Sequence, residues 1–308
     1  MATTTNIFCA ILLFVFTLGP HTTQSKPNVT PFGFLKSLEG SRKGQNVAGL
    51  HQLKSYLVKF GYLENNRVSE NELTIKNDDG LFDEHLEKAI RTYQNNYRLN
   101  TTGHLDAATV KQMMKPRCGC ADIINGRNTM QRKHNTSSKS MYGASFYGVI
   151  GTRWTSSELT YQIRVETLIP GSENMRYVVA DALNKWAEYS PFSFQEVGEG
   201  SRSNLVFGFA VGDHGDGFPF DGRGGVLGHS FPPPDGRSHY DANDIWSDNP
   251  GQYQIDLNSV VLHEIGHLLG LGHSADINAV MHSGINYGER RRVLQEDDIQ
   301  GIQALYGS

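Results

Sequence analysis

Residues 263–273 read HEIGHLLGLGH, and that string restricts the fold more than any bulk property of the chain. On an α-helix the side chains of His263 and His267 leave one face a single turn apart, close enough to share a metal ion. Glu264 lies about 100° round the helix from His263, poorly placed as a ligand but able to reach a water on that metal. Gly270 can end the helix in a left-handed conformation and turn the chain, which returns His273 as a third ligand. Three imidazoles and one open position describe a catalytic zinc centre. An amphipathic helix with solvated histidines is the bland alternative, and the added Gly270 and His273 count against it.

The text ahead of this helix divides into three. Ile7 to Leu18 reads IFCAILLFVFTL, too short to span a bilayer and the right length for the core of a signal peptide over 1–25. From Leu50, LHQLKSYLVKFGYL, FDEHLEKAIRTYQNNYRL and LDAATVKQMM place apolar residues at helical spacing, which predicts a three-helix bundle within 26–124. Asp83 with Glu84, and Asp106, stand where helix starts favour acidic caps. A polar, basic stretch, NGRNTMQRKHNTSSKS, then predicts an exposed linker over 125–144 that is open to proteolysis.

Beyond it, over 145–308, LTYQIRV, FSFQEV and NLVFGFAV read as strands, with helices near 174–189 and 296–306. That order is α+β. A chain of 308 residues with 38% hydrophobic content suits a full-sized domain plus a smaller one. The formal net charge of -4 offers no basic footprint for nucleic acid or an anionic membrane, and no hydrophobic tail suggests a membrane anchor. Of three cysteines, Cys9 lies in the signal segment, and Cys118 and Cys120 are awkwardly close for an intrachain disulfide. Sequons at Asn28, Asn100 and Asn135 fit a secreted glycoprotein destined for the extracellular space or cell wall.

The extended zinc motif resembles that of the metzincins, and Met281 in AVMHS resembles their Met-turn. PRCGCAD at 116–122 resembles the cysteine switch of the matrix metalloproteinases, and the helices before it resemble their pro-domain. The resemblance extends over nearly the whole chain after the signal, and is greatest to the short plant-type members without a hemopexin-like module. It implies a catalytic domain with a twisted, mainly parallel sheet and three helices behind a small three-helix pro-domain. It also implies a latent zinc endopeptidase that an activating protease releases to cut extracellular proteins or peptides. Glu264 would take the proton of the attacking water, and Cys118 would fill the open zinc position, supported by an Arg117 to Asp122 ion pair. Cys120 departs from the pattern, as a competing ligand, an intermolecular disulfide partner or a neutral change.

The glycine-, aspartate- and histidine-rich stretch from His214 to Asp244 has a composition that rarely packs without ions. Resemblance assigns His214, Asp216, His229 and His239 to a second, structural zinc, and Asp221, Asp241, Asp244 and the carbonyl of Gly222 to calcium. It places Ser259 at the floor of the primary specificity pocket, with Ser283 and Ile285 on the opposite wall, and predicts tolerance of long apolar side chains. Two other readings remain open at this level. One is a catalytically silent, secreted binding protein on the same scaffold; the other gives the N-terminal helices a carbohydrate-binding role.

Overall fold

The computed structural model describes residues 30–64, 80–130, 148–164, 168–198 and 200–307. The expected signal peptide, Asn28, Asn135 and the linker beyond 130 lie outside them. A 3₁₀ turn at Gly33–Leu38 is followed by α1 (Leu50–Lys59), α2 (Glu84–Asn96) and α3 (Ala107–Met113). Asp83 caps α2 by accepting from the Leu86 amide, and Asp106 caps α3 by accepting from the Thr109 amide, each at 2.8 Å. The apolar stripes meet in one core built on Leu35, Leu53, Leu57, Leu86, Ile90 and Met113. Phe220 and Val226 from the second half of the chain join that core, so the helical unit is docked on the C-terminal unit.

After α3 come β1 (Arg117–Cys118) and a hairpin of β2 (Ile123–Ile124) and β3 (Arg127–Asn128). The first six residues of the linker expected over 125–144 belong to this hairpin and its end, and the remainder lies outside the described residues. Asn125 and Gly126 turn the hairpin with positive φ, and Thr129 and Met130 are buried. The second unit runs β4 (Glu158–Arg164), α4 (Met175–Ala187), β5 (Ser193–Glu196), β6 (Leu205–Ala210), β7 (Val226–Ser230), β8 (Arg237–Asp241), β9 (Trp246–Ser247), β10 (Ile255–Asp256), α5 (Leu257–Leu268) and α6 (Glu296–Tyr306).

The main sheet has strand order β1-β7-β8-β6-β4-β5, parallel throughout except for the antiparallel β7–β8 pair. This is the expected α+β architecture with three helices, with one addition. The short β1, from the switch segment, extends the sheet beside β7. Helices α4 and α5 pack on each other; Trp186 of α4 is fully buried and its indole N–H donates to Leu262 O of α5 at 2.9 Å. Helix α5 is buried all round, its polar residues Asn258, Ser259, His263, Glu264 and His267 included.

Candidate metal centre and active site

Asp256 starts α5 by accepting from the Ser259 amide at 3.1 Å. One turn apart on that helix, the Nε2 atoms of His263 and His267 approach to 3.1 Å. Gly270 follows the helix with φ +96°, and a Cβ there would also fall 2.4 Å from Thr152 O, so only glycine fits. The chain then turns and sets His273 Nε2 3.2 Å from His267 Nε2. Each ring is fixed from behind through Nδ1, at 2.7 Å from Val280 O, 2.8 Å from Leu271 O and 2.7 Å from Asp122 Oδ1 respectively. Those acceptors place the ring proton on Nδ1 and leave three Nε2 lone pairs facing one point.

Cys118 Sγ lies 3.4 Å from His267 Nε2, and the sulfur and the three nitrogens all lie within 4.8 Å of one another. Zinc–nitrogen bonds of about 2.0–2.1 Å give a tetrahedron with edges of roughly 3.3 Å, so the donor set fits zinc in size as well as chemistry. Burial and the neighbouring imidazoles hold His263 well below its ordinary pKa, which keeps it neutral and able to ligate. Met281 is buried, and a Cβ on Gly266 would fall 2.2 Å from its sulfur. The Val280 and Met281 amides both donate to Asp298, which fixes the turn that anchors His263.

Glu264 is fully buried. Its Oε2 accepts from the Ser230 hydroxyl at 2.8 Å, and its Oε1 has no hydrogen-bond partner. Burial first, and the Cys120 sulfur second, push its pKa up to about 7, against His267 and the Ser230 bond. Cys120 Sγ gathers with Cys118, Glu264 and His267 rather than with the three histidines, and its thiol faces Ser230 O at 3.4 Å. Its amide donates to Cys118 Sγ at 3.3 Å.

The switch segment is clamped on both sides. Cys118 N donates to Ser283 O, Gly119 N to Gly228 O, and Ile285 N to Pro116 O. Arg117 and Asp122 form the expected pair, with two bonds of 2.8 and 3.1 Å, and both are buried. Sequence reasoning missed the rest of this clasp. Tyr62 OH donates to Asp122 at 2.8 Å, and Tyr97 OH contacts Asp122 at 3.2 Å and Ser283 Oγ at 2.6 Å. Burial raises the Asp122 pKa, but Arg117 and His273 outweigh it and hold the carboxyl well below its usual range.

The other predicted cluster is also assembled. His214 Nε2, His229 Nε2 and His239 Nδ1 converge on Asp216 Oδ2 at 2.7, 2.7 and 2.8 Å. His214 Nδ1 faces Gly212 O at 2.9 Å, which leaves the Nε2 lone pair turned with Asp216 Oδ2 toward the cluster's centre. This closed, four-residue donor set also fits zinc. Asp221, Asp241 and Asp244 lie in one region without forming so tight a cluster. Asp221 faces Lys59 at 3.8 Å, Asp241 accepts from the amide of Gly222 at 3.1 Å, and Asp244 Oδ2 is buried without a partner. Burial, with Asp241 and Asp221 nearby, pushes Asp244 up to about 8, a strain that a bound cation would relieve.

Ser259, Ser283 and Ile285 do line one cavity, together with Cys118, His263, Glu264 and Arg291. Cys118 of the docked 117–122 segment forms one of its walls. Its volume is about 20 Å³ with that segment in place, and Arg291 on its wall donates to His282 O and Gly284 O at 3.2 Å. The Ser259 hydroxyl is itself occupied by Asp256 and by the Arg291 amide. Asn100 lies exposed in the loop before α3. No helix among the described residues is long and apolar enough to cross a membrane.

The matrixin family matches residues 153–307, and a peptidoglycan-binding-type domain family matches residues 46–113. The chain is 37% identical to metalloendoproteinase 5-MMP of Arabidopsis thaliana over 98% of this chain and 87% of that protein. It is 40% identical to metalloendoproteinase 1 of Glycine max over 86% of this chain and 84% of that protein. Matrix metalloproteinase-16 of Homo sapiens is 36% identical over 85% of this chain and 42% of that protein.

Proposed function

The chain belongs to the matrixin family of zinc metalloendopeptidases, and we propose that its own N-terminal half holds it latent. In this reading residues 26–124 are the pro-domain, 145–308 the catalytic domain, and the protein is secreted to act on extracellular proteins or peptides. His263, His267 and His273 hold the catalytic zinc. His214, Asp216, His229 and His239 hold a structural zinc, and Asp221, Asp241 and Asp244 attract calcium. The observation that carries the proposal is the gathering of Cys118 Sγ and three Nε2 atoms within 4.8 Å.

When bound, zinc supplies a Lewis acid that polarises water and the scissile carbonyl. Glu264 Oε1, free of partners, takes the proton of the attacking water and hands it to the leaving amine. The Nδ1 anchors on Val280 O and Leu271 O keep the His263 and His267 rings from swinging as charge develops, whereas the Asp122 anchor of His273 departs with the 117–122 segment. Cys118 closes the remaining corner, so water enters only after the 117–122 segment leaves, and cutting between the two units is the means of removing it. Glu264→Ala is expected to retain zinc and fold while peptide cleavage by the activated protein falls at least roughly a hundredfold. Near-normal turnover by the zinc-loaded variant removes Glu264 from the mechanism.

A further inference from the structure

Behind Glu264 stands a row of three buried hydroxyls. Ser230 Oγ is 2.8 Å from Glu264 Oε2 and 2.9 Å from Ser238 Oγ, which is 3.1 Å from Tyr240 OH. Strand register brings them together: Ser230 pairs with Ser238, and Gly228 with Tyr240, across the antiparallel β7–β8 ladder. Side chains alternate along a strand, so His229 and His239 point to the opposite face, into the second histidine cluster. One register therefore serves both sites.

The direction of the hydrogen bonds is fixed by chemistry. A carboxylate only accepts, so the single proton of Ser230 goes to Glu264 Oε2. Ser230 then accepts from Ser238, and Ser238 from Tyr240, whose phenol burial keeps protonated. All three residues are buried, and hydroxyls in such a place are costly unless they are bonded. Apolar side chains would fill the same space without that demand, so the row calls for an account beyond packing.

We propose that Ser230, supported by Ser238 and Tyr240, is a positioning residue for peptide hydrolysis. It ties Oε2 of Glu264 and leaves Oε1 as the one oxygen turned to the proton transfer. Glu264 cannot pivot about its terminal torsion without breaking the Ser230 bond. The inference rests on Glu264 as the base, and the Glu264→Ala variant tests that premise separately.

The test uses the full chain, zinc-loaded and activated by limited proteolysis. A hydrogen bond to a charged group is strong enough that Ser230→Ala is expected to lower kcat about ten- to a hundredfold. KM and zinc stoichiometry stay at wild-type values. Ser230→Thr keeps the hydroxyl and retains at least about half of kcat, and Tyr240→Phe causes a smaller loss than Ser230→Ala because Ser230 still donates. A crystal structure of Ser230→Ala is expected to show the Glu264 carboxylate rotated or in two orientations. Unchanged kcat in Ser230→Ala, a Thr variant as slow as the Ala variant, or a loss that follows zinc content overturns the proposal. If Glu264→Ala is inactive while Ser230→Ala is not, only the positioning role fails.

Discussion

Asp122→Ala in the uncleaved precursor is expected to release activity without proteolysis. The carboxylate takes two bonds from Arg117, one from Tyr62, a contact from Tyr97 and the Nδ1 bond of His273. Without it, the Arg117 guanidinium is left 2% exposed over the Phe60 ring, with no opposite charge bonded to it. Breaking a buried ion pair by removing one partner costs about 3–5 kcal/mol. That cost exists only while the segment is docked, since water solvates Arg117 once it leaves. The docked-to-undocked ratio should therefore fall by a factor of roughly 10² to 10⁴. The assay is hydrolysis of a fluorogenic peptide by precursor shown intact by mass spectrometry, scaled to the same preparation after full activation. Arg117→Ala with Asp122→Ala removes the stranded charge and should recover part of the latency. A single variant as silent as wild type, or a double variant as active as the single, refutes the reasoning.

Cys118→Ser should also give an active precursor, because serine ligates zinc far less well than thiolate, whereas Cys120→Ser should stay latent; release by the Cys120 change alone would reassign the plug. Asp244 links calcium to pH. Its folded pKa of about 8 lies above the ordinary carboxylate value, so its contribution to stability is full at low pH and is lost as pH rises through about 8. In calcium-free, zinc-containing buffer Tm should therefore fall between pH 5 and 8.5. Added calcium or Asp244→Asn should flatten that slope, and a slope unchanged by both would remove the assignment. At the small cavity, Arg291→Ala should raise kcat/KM for peptides with a long apolar residue after the scissile bond, relative to alanine, about tenfold or more. No change in that ratio would show that Arg291 does not limit the pocket.

These contacts differ in how far sequence alone could reach them. The zinc-binding string was legible because its ligand spacing lies within eleven residues: two histidines one turn apart, Gly270 to turn the chain, and His273 to return. Asp83 and Asp106 were legible as caps for the same reason, each acting on an amide three residues on. The His214 to His239 cluster followed from composition and resemblance together. By contrast, Arg117–Cys118 has no strand pattern of its own and becomes β1 only because β7 offers an unpaired edge.

The presence of Arg291 in the pocket was not legible because it lies outside the motif. Ser259 suggests room when only its own size is considered, but Arg291 lines the same cavity from 32 residues away and its backbone amide donates to the Ser259 hydroxyl. The hydroxyl row was invisible for a related reason. Ser230 bonds Glu264 across 34 residues, and nothing in GHSF or GRSHYD says which face of the strand meets the helix until the β7–β8 register is known. A shift of that register by one residue would exchange the faces, removing His229 from its metal cluster and Ser230 from Glu264 together. The second histidine cluster is thus tied to the geometry of the catalytic base through one pair of strands. If that cluster holds the proposed structural zinc, removing the ion is expected to lower Glu264-dependent peptide cleavage even though no cluster residue touches that carboxylate through a hydrogen bond.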